Sequence, residues 1–270
     1  MRSYRITSIA KKPKGTIVEL PVIEPRLSAE KEYYSALRSM LSQMATETRE
    51  SVIPLYLAER ERERAQRGFV ADADRSWFTR LQSLSVALQR VASETVNRIL
   101  DLEAKRHTET FMATAKRSLG IDLRAVVTQE DLAEYLQTKA AENAALIQNL
   151  SEDMVKRIET TVYQNSIAGN SVTTLRKQLT EQLGIADRRA KLIATDQTNK
   201  LNSDLNRIRQ QQAGVTSYRW MTSHDERVRD LHRRLDGKTY KWGQATGAEG
   251  GLPPGQPIRC RCVARGIVEF

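Results

Sequence analysis

The last quarter of the chain constrains everything else. Residues 214–270 hold both cysteines, two of the three histidines, two of the three tryptophans and eight of the 13 glycines of a 270-residue protein. Sequence punctuated this densely by glycine cannot propagate long helices, so irregular structure and any site chemistry must gather at this end. The rest of the chain is expected to be helical scaffold.

The tail parses into short pieces. Residues 215–221 alternate, with Val215, Ser217, Arg219 and Met221 on one side and Thr216, Tyr218 and Trp220 on the other, which predicts a short strand. Ser223 followed by Glu226 spells a capping box, and Val228, Leu231 and Leu235 supply one apolar stripe. A helix is therefore expected from that cap to Gly237, a left-handed stop, with Asp225, Arg229 and His232 sharing a face. Residues 238–242 read as a second strand, 243–255 as an obligate loop and 258–267 as a final strand.

Upstream, residues 1–27 carry six Lys/Arg against two Glu and are broken by Pro13, Pro21 and Pro25. This is an extended basic arm, suited to adding an edge strand elsewhere or fraying as a tail. Ser28 is expected to cap a helix on which Leu37, Met40, Leu41 and Met44 form a stripe, with Pro54 kinking or ending it. Residues 59–67 alternate in charge and read as a solvated helix face; 68–72 read as a loop, with Asp74 as the next cap. Trp77, Leu81, Leu84, Leu88, Val91, Thr95, Ile99 and Leu102 step by three and four, a seam that must pack within the chain or against another copy. His107 is expected at the surface. Gly120 ends this region, and Thr128 with Asp131 starts the next helix, whose apolar face runs from Leu132 through Leu150 to Val162. After a turn at Gly169 and Asn170, Ser171 caps a short helix that Gly184 closes. A further helix over 187–213 buries Ala190, Ile193, Ala194, Leu201, Leu205 and Ile208 and displays Arg188, Arg189, Lys191, Lys200, Arg207 and Arg209.

The fold class read from this pattern is α+β: a long, mostly helical N-terminal region followed by a small α+β C-terminal domain with a short antiparallel sheet. The expected divisions are an arm over 1–27, a helical region over 28–153 and a C-terminal domain over 154–270, itself a helical lead-in (154–213) and a small module (214–270). No apolar run is long enough for a bilayer and the N-terminus lacks a secretory pattern, so a cytoplasm-like compartment and no membrane partner are expected. The net charge of +10 is concentrated at the two ends, a balance that suits polyanions or acidic surfaces and equally a solubilising excess.

Three chemistries compete in the tail. His232, Cys260 and Cys262, with His224 or Asp225 as a fourth group, make a chemically reasonable zinc set, although a C-x-C pair with upstream histidines matches no standard finger. The blander reading is a buried cluster in which Asp225 pairs with Arg229 or Arg261 and His232 is hydrogen-bonded. Catalysis centred on His232, cleaving or binding nucleic acid, is the alternative function, but no nuclease motif accompanies it. Arg227, Arg229, Arg233, Arg234, Lys238 and Lys241 cluster within fifteen residues as a DNA-binding or docking face, diluted by Asp225, Glu226, Asp230 and Asp236.

Tyr218 and Trp220, then Asp225, Arg227, Arg229, His232, Leu235 and Gly237, then Pro253 to Gly255 and Cys260-Arg261-Cys262 occur in an order that resembles the C-terminal domain of phage Mu F-like minor head (head morphogenesis) proteins. The resemblance spans about 154–268. It implies a structural core built on Tyr218, Trp220, Asp225, Leu235, Gly237 and Trp242, and a non-enzymatic minor capsid protein of a tailed phage. Implied partners are the portal and the major capsid or scaffold protein; the basic cluster adds an expected contact with phage DNA without sequence specificity, and the seam over 77–102 an expected self-association through the helices. The implied location is the procapsid interior or virion, after synthesis in the host cytoplasm.

Overall fold

The computed structural model describes residues 4–66, 75–128 and 130–270. In chain order the elements are α1 (Ile6–Ile9), β1 (Ile17–Glu19), α2 (Leu27–Glu47), α3 (Ile53–Gln66), α4 (Thr79–Leu119), α5 (Ala133–Ile167), α6 (Val172–Gln212), β2 (Ser217–Met221), α7 (Asp230–Arg233), β3 (Thr239–Lys241) and β4 (Val263–Glu269). The fold is α+β as expected, with long helices followed by a four-stranded antiparallel sheet. The chain forms two compact units, one comprising Glu32–Asn97 and Ala140–Ile193, the other Met1–Lys31, Arg98–Lys139 and Ala194–Phe270. The loop expected at 68–72 and the Asp74 cap lie outside the described residues.

The first unit is built from apolar stripes. Leu37, Met40, Leu41 and Met44 on α2 are all buried, as are Ile147, Leu150, Met154, Ile158 and Val162 on α5. Helix α2 starts at Leu27, so Ser28 lies inside its first turn and does not cap it. Pro54 does not end the helix: the backbone widens to a π-turn over Thr48–Val52, the Ile53 N–H bonds back to Thr48 O, and α3 resumes there. Proline has no N–H to donate and its ring crowds the carbonyl four residues back, and the wider turn absorbs both defects. Tyr56, Trp77, Phe78 and Tyr163 form a run of ring contacts with centroids 6.0, 6.4 and 5.3 Å apart.

Two expectations for the long helices fail for geometric reasons. The seam on α4 is only partly right: Trp77, Leu81, Leu88 and Ile99 are buried, but Val91 and Leu102 are 60% and 43% exposed while Ala92 and Val96 are buried. A pattern averaging 3.5 residues drifts roughly 20° per heptad off the face of a straight helix, so neighbouring positions take over. Gly184 closes nothing. Helix α6 runs unbroken for 41 residues, its start capped as expected by Ser171, whose Oγ accepts the Thr174 N–H at 3.1 Å.

The second unit holds the sheet, ordered β1-β4-β2-β3. Part of the basic arm is built into the sheet: β1 adds an edge to this chain's own β4, with Ile17 opposite Glu269 and Glu19 opposite Ile267. Tyr4, Ile6, Ala10 and Leu20 of the arm are buried with Phe111, Leu123, Val215 and Val268 in one core. Gly120 ends α4 as expected, and Asp131 Oδ2 accepts the Thr128 N–H at 3.3 Å ahead of α5.

Candidate functional site

Helix α6 organises the site. Between Asn199 and Gln212 almost every side chain is buried, polar ones included. Asn202 and Asn206 each donate to Ile23 O at 3.0 and 3.1 Å, fixing the arm. Ser203 Oγ donates to Pro254 O at 2.6 Å and Gln256 Nε2 donates to Asp204 Oδ1 at 2.9 Å, fixing the glycine loop. Gln210 Nε2 donates to Ala264 O on β4, and its Oε1 accepts Trp242 Nε1, both at 3.1 Å. Burying a polar group is costly unless it is bonded, and these bonds make this face of α6 a row of specific clamps.

Arg209 and His107 correct the sequence reading most sharply. Arg209, expected on a displayed face, is fully buried and donates to Gln212 Oε1 (2.9 Å), Thr108 Oγ1 (3.0 Å), Thr128 O (2.9 Å) and Asp131 Oδ2 (3.5 Å). His107, expected at the surface, is 5% exposed and faces Asn206 Oδ1 at 3.2 Å. Because Asn206 Nδ2 already donates to Ile23 O, His107 Nε2 carries the proton in this bond. Burial holds the His107 pKa down to about 4, with Arg209 adding repulsion against the Asn206 hydrogen bond.

The module beside α6 is closed by β2 and β4. Trp220, Leu235, Ala248, Cys260 and Cys262 form one buried cluster. Tyr218 stacks on Trp242 with centroids 4.1 Å apart, and Trp220 meets the His232 ring edge-on at 5.4 Å. The expected helix from Ser223 shrinks to the single turn of α7, which begins after Arg229 without a side-chain cap. His224 takes a positive φ of 51°, and Asp225 Oδ1 accepts the Arg227 N–H at 3.0 Å, so the capping box gives way to a local turn. Gly237 keeps its left-handed role after that turn, with φ 74°.

Helix α7 delivers His232, 2% exposed, to both cysteines. Its Nδ1 lies 3.6 Å from Cys260 Sγ and 3.6 Å from Cys262 Sγ, and the three atoms fall within 4.8 Å of one another. Its Nε2 lies 2.7 Å from Glu249 Oε2. A carboxylate oxygen accepts, so Nε2 carries the proton and Nδ1 presents its lone pair to the sulfurs. The loop that sets the cysteines is tightly specified. Gly255 has φ 88°, a Cβ there would come within 2.8 Å of Ser203 Cβ, and its N–H donates to Cys260 Sγ at 3.3 Å. Arg259 also takes a left-handed φ of 58°, held by its N–H donating to Asp196 Oδ1 at 3.2 Å. The hydrogen bond from Cys262 holds the Cys260 thiol down to about 6, and the same bond, together with burial, pushes Cys262 up.

The remaining candidates are placed apart from this cluster. His224 is mostly exposed, 3.3 Å from Thr222 Oγ1 and 3.6 Å from Asp236. Asp225 pairs with Arg261. Arg229 donates to Glu249 Oε1 at 2.8 Å and to Ile258 O, which leaves Glu249 bridging Arg229 and His232. Arg227, Arg233, Arg234, Lys238 and Lys241 are exposed. Two features escaped the sequence reading. Glu249 is the one acid between Gly237 and Val268, and the polar stripe Asn199, Asn202, Ser203, Asn206 and Gln210 recurs at helical spacing; both are visible signals.

Residues 156–265 match the protein family described as Phage Mu protein F like protein, the segment that carries the resemblance in the sequence. An uncharacterized protein of Haemophilus influenzae is 30% identical over 168 residues, 62% of this chain and 37% of that protein. The chain thus spans well under half the length of that relative, and the similarity is longer than the family segment. No solved structure matches.

Proposed function

We propose that this chain, with its Mu F-like segment over 156–265, is a head morphogenesis protein of a tailed phage or prophage. In this reading it is a minor capsid component that docks on the portal and the scaffold or major capsid protein inside the procapsid, and it supports DNA packaging or ejection. The observation that carries the reading is the family match, which falls on the α6 clamps and on most of the sheet module they hold. A structural role also suits His232. A general base must reach its substrate, and this imidazole is buried with Nε2 on Glu249 and Nδ1 on two sulfurs. The exposed Arg227, Arg233, Arg234, Lys238 and Lys241 suit contact with DNA phosphates or an acidic docking surface. Among the described residues no helix is long and apolar enough to cross a membrane.

Deleting the gene from its phage or prophage tests the proposal. The expected outcome is heads that are misassembled or fail to retain DNA by electron microscopy, restored by the gene in trans, with the chain detected in purified procapsids by mass spectrometry. Normal infectious particles from the deletion, with the chain absent from wild-type heads, would overturn it. A His232-dependent cleavage of DNA or RNA by the purified protein would replace it with the enzymatic alternative.

A further inference from the structure

We propose that His232 Nδ1, Cys260 Sγ and Cys262 Sγ bind a zinc ion that ties α7 to the start of β4. Three independent features converge on this. The first is spacing: bonds of about 2.3 Å to sulfur and about 2.0 Å to nitrogen, at a tetrahedral angle, set an S and an N ligand roughly 3.5 Å apart. Both S···N separations are 3.6 Å. The second is lone-pair accounting. Nδ1 has one lone pair, and both sulfurs sit at the same distance from it. A single cation uses all three lone pairs at once. The third is Glu249, whose carboxylate faces the Nε2 side of the ring. Metal-binding histidines commonly place the other ring N–H on such a group, which fixes the tautomer and raises ligand basicity.

The electrostatics agree. Two thiolates and a neutral imidazole cancel the charge of Zn²⁺, so the site can be buried without net charge, and the Gly255 N–H pointing at Cys260 Sγ supports sulfur in its anionic form. Three protein ligands leave the fourth tetrahedral position for an exchangeable ligand such as water. His224, expected as the fourth ligand from sequence, lies with Asp236 instead. The backbone needs no rearrangement, because left-handed Gly255 and Arg259 already hold both cysteines facing the ring.

The test uses full-length protein without a metal-binding tag, stripped with a chelator and titrated with Zn²⁺ and separately with Co²⁺. One equivalent of each is expected to bind, and cobalt should give a thiolate-to-metal charge-transfer band with intense tetrahedral d–d absorption. Cys262→Ser should roughly halve the charge-transfer intensity per cobalt, since one thiolate of two remains. Glu249→Gln should keep the stoichiometry and weaken zinc binding by about 10–100-fold, as loss of a partner behind a ligand does. The deciding cobalt spectrum is that of the wild-type chain, so a cysteine variant that fails to fold does not change the result. Folded wild-type protein that takes up neither ion, or cobalt bound without a thiolate band, overturns the proposal. So does an unreduced mass two hydrogens short, which marks a Cys260–Cys262 disulfide.

Discussion

Each of the two units has its own apolar core, and the unit that carries the sheet adds a row of polar clamps to it. In the unit built from Glu32–Asn97 and Ala140–Ile193, helices bury stripes of Leu, Met, Ile and Val, and any side chain of similar volume and apolarity meets the same need. In the unit that carries the sheet, α6 reaches the arm, the glycine loop and β4 through Asn, Ser, Gln and Arg, each aimed at a particular carbonyl or carboxylate. A stripe tolerates exchange, whereas a clamp does not, because an unpaired buried polar group costs its full desolvation.

Substitution at Arg209 should expose that difference with the largest effect. Arg209→Ala removes the donor to Thr108 Oγ1 and the Thr128 carbonyl, leaves Asp131 with the Thr128 N–H but no cation, and should lower the unfolding free energy by about 3–5 kcal/mol. Arg209→Lys keeps the charge but loses the planar fork that serves several acceptors at once, so it should remain clearly destabilised. Leu37→Met, at an equally buried position in the other unit, should cost less than about 1.5 kcal/mol. Urea denaturation of the three variants measures the contrast, and a well-tolerated Arg209→Lys would collapse it.

His107 gives the polar unit a pH signature. Its folded pKa of about 4 lies below the ordinary value of 6.5, so between those values the unfolded chain binds a proton that the folded chain refuses. Stability therefore falls as pH drops through 6.5 and stops falling from this source below about 4, by about 3 kcal/mol in all. His107→Gln keeps a donor for Asn206 Oδ1 and removes the titration. Thermal melts from pH 7.5 to 4.5 should show the variant losing less stability on acidification than the wild type; parallel curves would place His107 in water.

What can be read from the sequence divides along the same line. Periodic apolar patterns announce the stripes of α2 and α5, and β-branched and aromatic alternation announces β2. The composition of the tail brings His232, Cys260 and Cys262 forward together, and separated motifs carry the family likeness. The sharpest errors, apart from helix ends and the drifting α4 seam, fall where a polar residue finds a distant partner. Arg209 and His107 look solvent-facing in a helical sequence because nothing local announces Asp131 or Asn206 as neighbours. Glu249 sits in a loop whose glycines and prolines speak only of turns, and the partner of β1 lies some 250 residues away in β4. Spacing within an element is written locally, while the choice of a hydrogen-bond partner is settled by the tertiary fold.

Gly184 carries the smallest predicted effect and the clearest sign. In the sequence it suggests the end of a helix, because glycine usually marks one, where a left-handed residue without Cβ costs least. Here α6 continues through it with ordinary helical geometry, and an added Cβ would meet nothing nearer than an Arg188 guanidinium nitrogen at 3.8 Å, normal contact. Glycine in a helix interior costs about 0.5–1 kcal/mol relative to alanine because its unfolded backbone has more freedom to lose. Gly184→Ala should therefore raise stability by about that amount, read as a higher urea midpoint with an unchanged slope. If α6 were instead two helices meeting at a left-handed glycine, the same substitution would strain the backbone and lower the midpoint, so the direction of the shift alone decides between them.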